Sequence, residues 1–132
     1  MYISKKDREL IKQKFGGKCA YTGTELLSDW QVDHVSPVRR NMWLNNTPRF
    51  GENHNLENMI PTQRLVTHYK RFRDLGQFKE FMVDFHVRIS KLPKNPRTEK
   101  GAKKKKYMLE IAELFGVTPD KPFSGKFYFE TL

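Results

Sequence analysis

Phe78, Phe81, Met82, Phe85 and Ile89 recur at offsets of 3, 4, 7 and 11. Only a helix, turning by about 100° per residue, gathers such positions on one face. The spacing predicts an amphipathic helix whose aromatic stripe belongs to a core. A second pattern has the other period. Trp30-Gln-Val-Asp-His-Val35 alternates, which predicts a strand with Trp30, Val32 and His34 on one face and Gln31 and Asp33 on the other, closed by Pro37. Both periods in 132 residues point to a single α+β domain over 1–132.

The rest of the chain fits around these two segments. Ser4 and Asp7 read as a capping box for a helix over about Lys5–Phe15 that buries Leu10, Ile11 and Phe15 and stops at Gly16-Gly17. Cys19–Gly23 reads as a tight turn, Arg39–Asn58 as a long polar loop and Asn58–Pro61 as a second strand. A helix over Gln63–Arg73 follows, with a break at Gly76. Met108, Ile111, Ala112 and Phe115 predict a last helix ended by Gly116, and Phe127–Phe129 a closing strand. Trp30 and Trp43 could stack on bases, though Trp30 on its alternating strand reads more simply as core, as does Tyr69; His54 lies in the polar loop and His86 on the packed helix.

Charge narrows the classes of function. The chain carries a net +10, and eight basic residues against Glu99 alone fall between Lys91 and Lys106. Pro93, Pro96 and Gly101 make the first part of that stretch a mobile connector, and its lysines a phosphate-contacting arm. The expected partner is a polyanion, most simply nucleic acid. No apolar run approaches the roughly 18–20 residues of a membrane span, and the first residues lack the apolar core of a secretory signal. The single cysteine, Cys19, excludes an intramolecular disulfide and fits a reducing cytoplasm.

Asp33 and His34, at a strand end, carry the chemistry. A carboxylate oxygen suits a hard divalent cation, which keeps several waters and takes one or two protein ligands. An imidazole with an unperturbed pKa of about 6.5 suits a general base for water. Beside a phosphate in a basic protein, the pair describes metal-assisted phosphodiester hydrolysis.

Four segments give this pair a context: Phe15-Gly-Gly-Lys-Cys-Ala-Tyr-Thr-Gly23, Trp30-Gln-Val-Asp-His-Val-Ser-Pro37, Glu57-Asn-Met-Ile-Pro61 and His68-Tyr-Lys70. In this order they resemble the HNH endonucleases, especially the short stand-alone enzymes of phages and bacteria, and the similarity runs to the closing Phe127-Tyr-Phe-Glu130. The resemblance implies a ββα-metal core over about 18–75, wrapped by an N-terminal helix and C-terminal helices, with the basic connector over about 91–106. It implies a metal-dependent DNA endonuclease in the cytoplasm of a bacterial or phage-infected cell. His34 would be the general base and Asp33 a ligand of one Mg²⁺ or Mn²⁺. Asn58 would hold the loop and help orient His34. Double-stranded DNA would be the substrate, with 5′-phosphate and 3′-hydroxyl products.

The sequence departs from that pattern twice. Many relatives clamp a structural zinc between two Cys-x-x-Cys pairs; here those positions are Cys19, Thr22, Gln63 and Val66, and one thiolate cannot close a zinc site. No structural zinc is expected, with packing around Cys19 and Val66 in its place. Where relatives complete the metal site with Asn or His, this chain has Thr67, followed by His68. Either the Thr67 hydroxyl or a shifted His68 would then serve. Arg39, Arg40, Arg64, Lys70 and Arg71, with Lys103, Lys104 and Lys105, are the candidate phosphate contacts. Two further readings stay open: an HNH-like protein that binds nucleic acid but cuts poorly, and a basic RNA-associated protein without catalysis.

Overall fold

The computed structural model describes residues 3–35, 43–44, 47–48 and 55–132. Pro37, Arg39, Arg40 and His54 lie outside the described residues, as does most of the expected loop. The described part is α+β.

Helix α1 spans Lys5–Gln13, where Ser4 Oγ accepts the Asp7 N–H at 3.1 Å and satisfies one orphan donor of the first turn. Ile11 is buried as expected, but Leu10 is 54% exposed, because Ile11 alone faces the small cluster with Trp30 and Met59. Strands β1 (Gln31–His34) and β4 (Met59–Thr62) pair antiparallel, with His34 opposite Met59 and Gln31 opposite Thr62. Both strands stand where the alternation and the Asn58–Pro61 segment put them. Two-residue strands β2 (Trp43–Leu44) and β3 (Thr47–Pro48) pair with each other inside the expected loop.

A 3-10 turn, Leu56–Asn58, leads into β4, and helix α2 (Arg64–Lys70) leaves it after one residue. The helix ends short of Arg73, at Arg71, whose φ of 56° is left-handed. Gly76 does not break the chain. It lies in the first turn of α3 (Leu75–Val83), held by a full capping box between Asp74 and Gln77.

The aromatic stripe is divided between α3 and α4 (Phe85–Ser90), yet Phe78, Met82, Phe85 and Ile89 are all buried in one core. Asp84 ends α3 and starts α4, and its carbonyl accepts the Val87 and Arg88 N–H groups. The basic stretch is a connector only to Thr98. Its hydroxyl accepts from the Gly101 N–H at 3.0 Å and starts α5 (Glu99–Phe115), so Lys100 to Lys106 are helical. Met108, Ile111 and Ala112 anchor that helix in the core, and Gly116, φ 68°, caps it.

Phe127–Phe129 is not a strand. Glu130 Oε1 accepts the Phe127 N–H at 2.9 Å and curls Tyr128–Thr131 into a 3-10 turn. The segment still docks on the expected Cys19–Gly23 turn, through Tyr128 N–H to Tyr21 O (3.1 Å) and Phe129 N–H to Ala20 O (2.9 Å). Gly23 is required there: its φ is 71°, and a Cβ would come within 2.6 Å of the Tyr128 ring.

Candidate functional site

The site forms where β1 ends beside the turn entering β4. Alternation sends successive side chains of β1 to opposite faces. Val32 packs towards Ile11, Trp30 and Met59, while Asp33 is turned into the body of the protein, 8% exposed. Val35 N–H donates to Asn58 O at 2.9 Å, which places the Asn58 turn next to the peptide after His34. Asn58 N–H is bonded in turn to Asn55 Oδ1 at 3.0 Å. His34 is half-buried.

Asp33 accepts two bonds on one oxygen. The Tyr21 hydroxyl donates to Oδ2 at 2.8 Å and the Lys70 ammonium lies 3.0 Å from the same atom. Lys70, on the last turn of α2, is 1% exposed and also donates to His34 O at 2.9 Å. Burial pushes the Tyr21 phenol well above its ordinary range, and the Asp33 charge adds to the shift, so the hydroxyl remains a donor. Lys70 is therefore corrected from a phosphate contact to a buried partner of Asp33 and His34. A fully buried lysine is rare without a charge partner. The sequence carried no signal for it beyond its place in His68-Tyr-Lys70.

The other expected metal ligands are not brought to Asp33. Thr67 turns its hydroxyl to the Thr62 hydroxyl and to Gln63 O, 3.4 Å away. His68 is exposed, with Nδ1 2.6 Å from the Tyr107 hydroxyl on α5. Among the described residues, no three His, Cys, Asp or Glu side chains gather to hold a metal. What the donor chemistry fits is narrower. Asp33 Oδ1 carries no hydrogen bond among the described residues, and Mg²⁺ needs only one or two carboxylates beside water and phosphate. Asp33 fits that role; Thr67 and His68, as placed, do not.

Cys19, Thr22, Gln63 and Val66 do lie together. Cys19 and Val66 are fully buried in the core, and Gln63 N–H donates to Cys19 Sγ at 3.4 Å. The Gln63 amide staples the facing loop: Nε2 donates to Thr24 Oγ1 (3.1 Å) and Glu25 O (2.6 Å), and Oε1 accepts from Leu27 N–H (3.3 Å). Thr22 joins through its hydroxyl contact with Thr24, 2.7 Å. Lys14 is a second residue the sequence reading missed. Its ammonium donates to Leu56 O and, at 2.6 Å, to Met59 O, fastening α1 to the turn that carries Asn58. Desolvation lowers its pKa from the ordinary 10.5, with the Glu57 charge opposing.

No family model, curated protein or solved structure matches the chain.

The candidate phosphate contacts divide by position. Arg64 pairs with Asp29 at 3.0 Å, both half-exposed, and Arg71 is exposed. On α5, Lys103 and Lys104 are exposed, and Lys103 lies 3.3 Å from Glu99. Lys105 differs: it is half-buried, and its ammonium donates to Lys94 O at 2.8 Å, tying the connector to the helix. A cleft of about 560 Å³ between Leu27, Arg64, Leu65 and Leu114 includes neither Asp33 nor His34. No helix of the described residues is long and apolar enough to cross a membrane.

Proposed function

We propose that the chain is a metal-dependent DNA endonuclease of the HNH type. The observation that carries the reading is the junction of β1 and β4. It sets Asp33 and His34 beside the Asn58 turn, with α2 laid across by the Lys70 bonds to Asp33 and His34. That order of strand, strand and helix is the one the resemblance implies.

In this reading His34 accepts the proton of a water as it attacks phosphorus, and the bond from phosphorus to the 3′ oxygen breaks. Asn58 and Lys70 fix the strand end, so the imidazole is presented from a held backbone. A divalent cation, held by Asp33 with water and phosphate, would supply charge stabilisation for the departing 3′ oxygen. The exposed lysines of α5 and Arg71 contact phosphates and carry no sequence information. The test is nicking of supercoiled plasmid with Mg²⁺ or Mn²⁺. Cutting abolished by chelator and by His34→Ala supports the reading; cutting that survives both removes it.

The ion pair between Lys70 and Asp33 favours a second reading, a nucleic-acid-binding protein that cuts poorly, because the carboxylate already has a cation. Such a protein binds DNA with steep salt dependence and does not nick it under any metal.

A further inference from the structure

The Lys70 ammonium is fully enclosed, and both bonds it donates end on consecutive residues of one strand, Asp33 Oδ2 and His34 O. As a purely structural device this is a poor choice, since a well-packed apolar side chain is often as stabilising as a buried ion pair. What only a cation does there is place a fixed positive charge at 3.0 Å from the carboxylate. We propose that Lys70 is a positioning residue and internal counter-charge that weakens divalent-ion binding at Asp33, making that binding conditional on the arrival of phosphate.

The inference rests on reading Asp33 as a cation ligand, and it follows from charge balance. With Lys70 in place, Asp33 is already neutralised, and a divalent ion at Oδ1 meets an ammonium across a single carboxylate. Like charges a few ångström apart in a site of low effective dielectric repel strongly. A DNA phosphate brings the missing negative charge, so ion and DNA bind better together than either alone. The Tyr21 hydroxyl, on the same oxygen, contributes a hydrogen bond without a charge and serves as the neutral comparison.

The experiment is a titration with Mn²⁺ alone, read by the loss of the free-ion paramagnetic signal and by the thermal midpoint. It compares the wild type with Lys70→Gln, Lys70→Arg, Tyr21→Phe and the double variant Asp33→Asn/Lys70→Gln. Lys70→Gln is expected to bind Mn²⁺ about tenfold or more tightly than the wild type, as removal of a nearby unit charge requires. Lys70→Arg and Tyr21→Phe should stay near the wild type, and the double variant should lose the gain. A merely structural lysine predicts equal or weaker binding in Lys70→Gln, and that result overturns the proposal. If Lys70→Gln is unfolded, Mn²⁺ is expected to refold it by binding the native state; no refolding overturns the proposal. Plasmid cleavage by the wild type, run beside the titration, separates the two readings. Tighter Mn²⁺ binding without cleavage keeps the role of Lys70 and removes the nuclease. Cleavage with unchanged Mn²⁺ binding does the reverse.

Discussion

Tyr21 and Asp33 are joined by a buried hydrogen bond of 2.8 Å, the phenol of the first turn donating to the carboxylate of β1. The Tyr21 ring also packs edge-on against Phe78 and Phe127, so one residue links the core to the candidate site. Tyr21→Phe keeps the ring and removes the donor. A bond to a charged acceptor contributes about 1.5–3 kcal/mol, so the thermal midpoint should fall by several degrees. Calorimetry of the two proteins checks it.

The Gln63 amide makes three bonds to the facing loop. Gln63→Ala removes the partner of the Leu27 N–H and of the Glu25 carbonyl, both in part-buried bonds. A stability loss of about 1–2 kcal/mol is expected for these part-buried bonds. Denaturant unfolding measures it.

His68 is bonded to Tyr107 rather than turned to Asp33. His68→Ala should therefore keep metal-dependent cleavage, with about 1 kcal/mol or less of stability lost for an exposed hydrogen bond. Tyr107→Phe should behave alike. Loss of cleavage in His68→Ala alone would make His68 a ligand after all.

Glu130 gives a pH dependence with a definite sign. Burial raises its pKa, but the Lys79 ammonium at 2.6 Å and the Phe127 N–H outweigh burial, and the net shift is below the ordinary 4.5. A carboxylate with a folded pKa below its unfolded one stabilises the fold above the unfolded value, and the gain is lost as pH falls through the folded value. Glu130→Gln should cost at most about 1 kcal/mol at neutral pH, the scale of a partly exposed ion pair. The difference from the wild type should close below pH 4.5.

Much of this fold was legible because the core patterns are local. The alternation of 30–35 marks β1, and the stripe from Phe78 to Ile89 marks buried faces. Ser4 and Gly116 mark where α1 begins and α5 ends. What escaped depended on partners distant in sequence or on caps. Gly76 reads as a breaker until Asp74 and Gln77 are seen to close a capping box around it. Proline and glycine made 91–106 read as a connector, but the Thr98 cap and the buried Met108 and Ile111 extend α5 backwards through the lysines. At the site, Asp33-His34 was visible as a pair. The lysine that holds it was not, because Lys70 is 36 residues from His34 in sequence and bonds to its backbone. The role of Gln63 was not legible either, because its partners Leu27, Glu25 and Thr24 lie 36 to 39 residues away.

The exposed lysines of α5 should appear in binding rather than in catalysis. Replacing Lys103 and Lys104 by Gln should flatten the slope of log affinity against log salt by about 0.9 per phosphate no longer neutralised. Fluorescence anisotropy of a labelled duplex across a salt series reads that slope. The single-turnover cleavage rate at saturating enzyme should hold.

The proposed function has His34 and Asp33 hydrolyse a phosphodiester with a divalent ion. The most direct measurement is to nick supercoiled DNA in Mn²⁺ with the wild type, His34→Ala and Asp33→Asn, and then offer the product to DNA ligase. Nicks are expected from the wild type alone, resealed without end repair because they carry 5′-phosphate and 3′-hydroxyl. Equal nicking by His34→Ala, or nicks that ligase cannot close, would rule out His34 as the general base of such a hydrolysis.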